Sequence, residues 1–497
     1  MIATPLTALT DHYFTSVTYR LAGVDFRVTR DGTGLITVRR PLAILQLNRT
    51  ATDVLRHLKP KASVAQIAAL TGIDPSAVGK LLDQLTLVGA VARSVPPPLQ
   101  WPSVSIVIPA FERETQIRAC ALSLLAQDYE EGQREVLVVD DGSPRSLKTV
   151  LEDLPITFLR LASNRGPAAA RNYGAKHARG QILVFVDSDC EAHQRFWLRT
   201  VVSGFIGEKV IAVGARVVSP PGQSVAARFE AVRSPLDMGS IRSPVGFGHP
   251  VPFLPSCALA VRRREFLESG GFDEHFFPGE DVDLVWRLAA AGHHLTYEPT
   301  AEILHHHRVK WRELLARRYE YGSSEAAVQS RHPSCRRALS VSPTSLLLLL
   351  ALTCRQQRSV AGVVGTIAFG IPVLQAAHKW RHARKLGVPL ASAPTAAAVV
   401  RGHSAEFYHF SADMARYHGA GLMVAALIWP TVSPACLILL VTSALADFSR
   451  SSAHWRTLPQ FVTLAMLECL AYELGLIKGC LEERTMLPLV SWPRLAL

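Results

Sequence analysis

Four short apolar runs punctuate the middle of the chain. VSIVIP from Val104, VLVVDD from Val136, ILVFVDSD from Ile182 and VIAVGARV from Val210 show no polar alternation. Runs of this kind predict parallel strands buried on both faces. Helical stretches such as TQIRACALSLLAQ lie between them. Strand, helix, strand predicts an α/β fold, whose ligands sit beyond the carboxyl ends of the strands.

The pattern differs on either side. Residues 17–95 read as a small unit of their own. YRLAGVDFRVTR and GLITVRR predict two short strands, and NRTATDVLRHL, SVAQIAALTG and DPSAVGKLLDQLTLVGAVAR predict three helices and a closing strand. Asp74 before Pro75 is a good helix start, because proline is tolerated at the first helical position. Two short helices joined by a turn at Gly72 fit a winged-helix pattern. The Pro-rich stretch that follows, SVPPPLQWP (Ser94 to Pro102), cannot sit inside a helix and predicts a stiff linker over 96–102. The α/β region is then expected over 103–331.

Residues 332–497 are expected to be hydrophobic, helical and membrane-associated. Ala338 to Cys354, Ser359 to Ala377 and Gly419 to Ala446 contain no Asp, Glu, Lys or Arg. The last exceeds the roughly 20 residues needed to cross a bilayer core. Pro430 and Pro434 interrupt it, so a kinked span or a re-entrant hairpin is expected there. Arg355, Arg358, Lys379, Arg381, Arg384 and Lys385 flank these runs, so charge bias gives no clear topology.

Composition narrows the partners. A chain of 497 residues is too long for one core, and a mean hydropathy of +0.18 is high for a fully soluble enzyme. The formal charge of +12 suits nucleic acid, nucleotide phosphates or an anionic membrane. Nucleic acid is disfavored, because DPSAVGKLLDQL lacks the row of Arg, Lys, Asn or Gln of a recognition helix. The eight cysteines are scattered without CxxC spacing and read as reduced thiols in a cytosolic compartment. MIATPLTALTDHYF lacks a basic stretch followed by an apolar run, so no signal peptide is expected.

The polar clusters of the middle region all fall at strand ends. Pro109-Ala110-Phe111-Glu112 follows the first run and Asp140-Asp141-Gly142-Ser143 the second. Asn164-Arg165-Gly166 precedes PAAARNYG with its Arg171-Asn172, and Asp187-Ser188-Asp189 ends the next strand. One Asp-Gly-Ser after a strand is usually a turn. Four clusters converging on one sheet edge make a site.

VSIVIPAFERETQIRACALSLLAQDY, VLVVDDGS, NRGPAAARNYGAKHARGQILVFVDSD and PGEDVDLVWRL resemble, in order, the successive motifs of the family 2 glycosyltransferases with the GT-A fold. The resemblance implies a Rossmann-like domain binding a nucleotide-diphosphate sugar. It implies donor contacts from Pro109, Phe111, Glu112, Arg171 and Asn172, and a base contact from Asp140 or Asp141. Asp187 is expected at the ribose or a metal-bound water, and Asp189 on a divalent cation, Mn²⁺ or Mg²⁺. His305 in EILHHHRVKW is expected to complete the metal site, ahead of His306 and His307, while Arg308 and Lys310 are candidates for the diphosphate. Asp281 of the Glu280-Asp281 pair is the expected general base of an inverting transfer, with Glu280 shaping the acceptor site and Asp283 capping or orienting the helix that follows.

The N-terminal unit is similar to PqqD-like modules, which pair an extended peptide against a strand edge. A PqqD-like module, a family 2 domain and a hydrophobic tail in one chain resemble the mycofactocin-biosynthesis branch of the family. That resemblance implies premycofactocin, a peptide-derived acceptor, receiving glucose from UDP-glucose as a short β-1,4-linked oligosaccharide. It also implies contact with other pathway proteins, and a cell-membrane location with the catalytic domain in the cytoplasm. The alternative is an envelope lipid or polysaccharide acceptor. LLARRYEYG departs from the QxxRW-like motif of processive synthases, which argues against a long polymer.

Overall fold

The computed structural model describes residues 16–39, 42–98, 100–206, 210–220, 222–306, 310–335, 338–388, 391–490 and 492–495. The stretch read for a signal peptide lies outside them, as do His307 and Arg308. The chain divides into two compact units: Met1–Pro220 with Pro235–His306, and Pro221–Ser234 with His307–Leu497.

The first unit is organized on a nine-stranded sheet. Its strands are β1 (Val104–Ala110), β2 (Arg134–Asp140), β3 (Thr157–Arg160), β4 (Ile182–Val186), β5 (Cys190–Glu191), β6 (Val210–Val218), β7 (Ser243–Pro244), β8 (Ala258–Arg262) and β9 (His294–His305). The order is β5-β9-β6-β8-β4-β1-β2-β3, with β7 on β9. β1 to β4 form a parallel core in the order β3-β2-β1-β4. The sheet as a whole is mixed: β8 runs antiparallel to both β4 and β6, so β6 is not part of one continuous parallel set. Alternate residues of each central strand feed separate cores on the two faces: Ile106, Ile108 and Val184 on one, Val107, Leu183 and Phe185 on the other. Burial on both faces is why these runs lack polar alternation.

Register aligns the functional ends. Ala110 pairs with Asp140, so the loops after β1 and β2 emerge side by side. Val186 pairs with Ala258, so the entry to β8 lies beside the exit of β4. Three helices frame this edge: α1 (Glu114–Leu125), α2 (Pro167–His177) and α3 (Glu280–Ala290). Gly142 turns the chain after β2 with φ of +71°, and a Cβ there would strike the backbone of Ser163 and Asn164. Only glycine meets both demands.

The N-terminal region of this unit carries helices Arg49–Arg56, Val64–Thr71 and Pro75–Leu87 and a closing strand Val91–Ser94. Asp74 accepts from the Ala77 N–H at 3.0 Å, and Ser63 forms a capping box with Gln66. YRLAGVDFRVTR breaks at positive-φ Gly23 into Thr18–Leu21 and Asp25–Val28, which join different sheets. Leu42–Leu47 adds a strand beyond the two expected. The Pro-rich stretch does not hang free: Trp101 is buried against Tyr129, whose hydroxyl donates to the Pro102 carbonyl at 2.6 Å.

The second unit is helical: Val225–Arg233, Trp311–Arg331, Pro343–Thr353, Arg358–Lys385, Ser392–Ile428, Ser433–Arg450 and Leu458–Glu482. Helix Trp311–Arg331 groups with it by contact, although composition had put the boundary after 331. Among the described residues, three helices are long and apolar enough to cross a membrane: Arg358–Lys385, Ser433–Arg450 and Trp455–Glu482. On the first, Phe369 is 76% exposed and Leu374 70%. The uncharged run Gly419 to Ala446 is not one span. The chain leaves the helix at Trp429, just before Pro430, and starts another at Ser433. Ala338 to Cys354 opens as a strand and yields only an 11-residue helix.

Leu458–Glu482 was not anticipated, because Glu468, Glu473 and Lys478 interrupt its apolar pattern. Glu468 is 1% exposed and accepts from Arg318 Nε at 3.0 Å and Arg233 Nε at 3.2 Å. An inward-facing, paired acid leaves the other faces of that helix apolar. Gly475 and Gly479 let it meet Trp311–Arg331 backbone to backbone: a Cβ on either would strike the carbonyl oxygen of Tyr319 or Ser323.

Candidate active site

The loop after β1 departs from ordinary geometry. Glu112 and Arg113 both have φ of 57°, a region that residues with side chains rarely occupy and that clusters at functional sites. The Glu112 N–H donates to Ser143 Oγ at 2.9 Å, tying this loop to the one after β2. Phe111 is 38% exposed at the strand end, an open aromatic face. Pro109 is buried within β1 opposite Val139, so it shapes the strand and presents no surface to a donor.

Asp140 and Asp141 are both enclosed. Asp140 accepts from the Ser143 N–H at 2.9 Å and pairs with Arg160 at 2.8 Å. Asp141 accepts from the N–H groups of Arg165 and Gly166 at 2.9 and 2.8 Å. Burial raises the Asp141 pKa, while those two N–H groups pull it down. The two acids fasten the β2 turn to neighboring elements: Asp140 to Arg160 of β3, Asp141 to the loop that opens α2.

Arg171, buried in α2, bridges two acids. Its Nη2 donates to Asp187 Oδ1 at 2.5 Å and its Nη1 to Glu280 Oε1 at 2.9 Å. Burial opposes its charge, but Asp187, Glu280 and Asp281 outweigh that effect and keep it cationic. The Arg171 side chain also lies over the Phe272 ring at 5.5 Å. Glu280 is therefore paired with Arg171. Asn172 is engaged as well. Its amide donates to the Phe272 carbonyl at 2.8 Å and accepts from the Phe272 N–H at 3.0 Å. With both ends in use, Asn172 fastens the Phe272 loop.

Asp189 and His305 come together through strand register. Cys190 pairs with His305 across β5 and β9, and the His306 N–H donates to the Asp189 carbonyl at 2.9 Å. His305 Nε2 then stands 3.5 Å from Asp189 Oδ1. Among the described residues, the ligand atoms of Asp189, Cys190 and His305 all lie within 4.8 Å of one another. Burial pushes the Cys190 thiol well up, so it stays protonated and is no ligand for a hard cation. Carboxylate plus imidazole fits Mn²⁺ or Mg²⁺. Asp187 does not join this group; its carboxylate is turned to Arg171. His306 pairs with Glu191 at 3.3 Å, away from Asp189, and Lys310 with Glu313 at 3.5 Å.

Asp281 stands at the start of α3. Its Oδ2 accepts from the Ser256 N–H at 3.1 Å and its Oδ1 from the Val282 N–H at 2.8 Å. Burial first, and the neighboring Glu280 second, push its pKa up to about 7. A carboxylate tuned near neutrality suits a general base. Asp283 is buried and holds Arg287 at 2.7 Å, one turn along the helix. Arg113, which no sequence motif marked, donates from its Nη1 to Asp189 Oδ2 at 2.7 Å.

A parallel strand core with carboxylates along its C-terminal edge and an acid of raised pKa on the facing helix is the arrangement of a glycosyltransferase of the GT-A class. The family described as glycosyl transferase family 2 matches residues 105–269. The pre-mycofactocin glycosyltransferase of Mycobacterium tuberculosis (strain H37Rv) is 31% identical over 479 residues, covering 93% of this chain and 94% of the relative. Glycosyltransferase AglE of Haloferax volcanii is 30% identical over 234 residues, covering 46% of this chain and 74% of the relative. A solved mannosyltransferase from Pyrobaculum calidifontis, in complex with GDP-Man and Mn²⁺, has 19% identity and a TM-score of 0.44, covering 77% of this chain and 89% of that one. The chain is a glycosyltransferase, and it belongs to the pre-mycofactocin branch of glycosyltransferase family 2.

Proposed function

We propose that the chain is an inverting, metal-dependent hexosyltransferase that moves glucose from UDP-glucose onto premycofactocin, adding a few β-1,4-linked sugars. The observation that carries this reading is Asp281: an acid with its pKa near 7, half-buried at a helix start and held by two backbone N–H groups. It takes the proton from an acceptor hydroxyl as that oxygen attacks the anomeric carbon. The bond from that carbon to the diphosphate oxygen breaks, and the diphosphate leaves with the electron pair.

Asp189 and His305 would hold the divalent cation. When bound, the cation supplies Lewis-acid neutralization of the departing diphosphate. Arg171 fixes Asp187 and Glu280 at a set distance from each other, and so keeps the donor edge in register with the start of α3. The exposed Phe111 offers a stacking face for a nucleobase.

The premycofactocin acceptor rests on the relative that matches along nearly the whole chain. The N-terminal region is proposed to act as a PqqD-like module, with a strand edge for an extended peptide or a pathway partner. The apolar helices of the second unit are proposed to seat the enzyme in the cell membrane. The free thiols Cys120, Cys190 and Cys257 suit a catalytic domain in a reducing cytoplasm.

The test is mass spectrometry of premycofactocin incubated with purified enzyme, Mn²⁺ and UDP-glucose. Hexose increments on that acceptor support the proposal. UDP release with no sugar on it rejects the acceptor. That result would favor an envelope lipid or polysaccharide, the second reading, to which the exposed apolar side chains of Arg358–Lys385 lend weight.

A further inference from the structure

Asp189 divides its carboxylate between two partners. Oδ1 faces His305 Nε2 at 3.5 Å, and Oδ2 accepts from Arg113 Nη1 at 2.7 Å. The guanidinium comes from a loop fixed on both sides. Glu112 is tied to Ser143, and the Arg113 carbonyl accepts from the N–H groups of Gln116 and Ile117 at the start of α1. Two successive left-handed residues aim Arg113 across the end of the sheet at Asp189. Holding them there costs backbone energy, as expected of a turn kept for function. The Arg113 side chain is 39% exposed, so its head can leave Asp189 without unpacking a core.

We infer that Arg113 is a built-in counter-ion of Asp189 that makes cation binding depend on a nucleoside diphosphate. The inference rests on the reading of Asp189 and His305 as cation ligands. A guanidinium and a divalent cation compete for one carboxylate. A cation arriving alone must displace Arg113 and leave two positive charges side by side. Arriving with a diphosphate, it brings anionic oxygens that accept the displaced guanidinium, whose planar fork matches phosphate. Cation and nucleotide then favor each other's binding by one shared factor, since coupling between two ligands is reciprocal. Arg113 acts through Asp189 and is a positioning residue.

The experiment titrates Mn²⁺ into the full-length protein in detergent, read by electron paramagnetic resonance, with and without saturating UDP. Wild type is expected to bind Mn²⁺ about tenfold more tightly with UDP present, within the usual range for coupled sites. Arg113→Gln should bind Mn²⁺ alone about tenfold more tightly than wild type and lose most of the UDP effect. Arg113→Lys keeps the charge and should stay close to wild type. Equal Mn²⁺ affinity of Arg113→Gln and wild type without UDP would overturn the inference. Asp189→Asn separates the two readings. If it binds Mn²⁺ like wild type, the metal assignment fails; if it loses Mn²⁺ while Arg113→Gln matches wild type, only the Arg113 inference fails.

Discussion

His305 stands opposite Cys190 in antiparallel register, and that pairing sets its Nε2 3.5 Å from Oδ1 of Asp189. The contact joins the exit of β4 to the far end of β9, so one residue of slip between the strands would turn His305 away.

If the pair holds a cation, His305→Ala should weaken Mn²⁺ binding in the presence of UDP by at least about tenfold, since even outer partners of metal ligands are worth that much. His306→Ala should leave it unchanged, because His306 pairs with Glu191. Calorimetric titration of both variants checks this. Equal losses from the two would contradict the assignment.

Arg171→Met removes the one cation between Asp187 and Glu280. Glu280, nearly enclosed, is then left without its partner. A loss of about 3 kcal/mol is expected, the usual cost of breaking a buried pair. Arg171→Lys should recover little, because an ammonium cannot reach two acids from fixed fork positions. Thermal unfolding of the purified variants in detergent reads the loss directly.

Gly475→Leu should separate the helices Trp311–Arg331 and Leu458–Glu482. The added side chain meets the Tyr319 backbone, which cannot swing aside. Overpacking of this kind costs about 1–3 kcal/mol or more. A lower melting temperature is expected, with UDP affinity unchanged, because the residue lies in the second unit. An unaltered melting temperature would reject the backbone packing.

The pH dependence follows from Asp281. Burial and Glu280 raise its pKa to about 7, and only its ionized form accepts a proton. The value of kcat/KM should rise with pH up to about 7 and level off above; below, it should fall about tenfold per unit. Asp281→Glu should move the inflection. A flat profile between about pH 5.5 and 8 would remove Asp281 as the titrating base.

The strands were legible because burial on both faces writes an unbroken apolar run, and the acids at their ends stood out because each directly follows such a run. Asp281, Asp189 and His305 came from motif order, not from periodicity. Roles set by side-chain direction were not legible. Asp187 and Glu280 look like ligand or acceptor groups in sequence, yet both turn to Arg171, and Asn172 turns to Phe272. Arg113 was invisible because its reach depends on two left-handed residues that no local pattern announces. In the second unit, Leu458–Glu482 was missed because its buried acid is paired with Arg318 and Arg233, which lie far upstream in the chain. The break in Gly419 to Ala446 was legible, because Pro430 cannot continue the helix that ends at Ile428.

The most direct test of the account compares wild type with Asp281→Asn in two measurements on one preparation: UDP affinity and hexose transfer to premycofactocin by mass spectrometry. The account predicts UDP affinity within about twofold of wild type and transfer lower by about 10² to 10⁴, the usual worth of a general base. Transfer within about tenfold of wild type would contradict the assignment of Asp281 and, with it, the proposed mechanism.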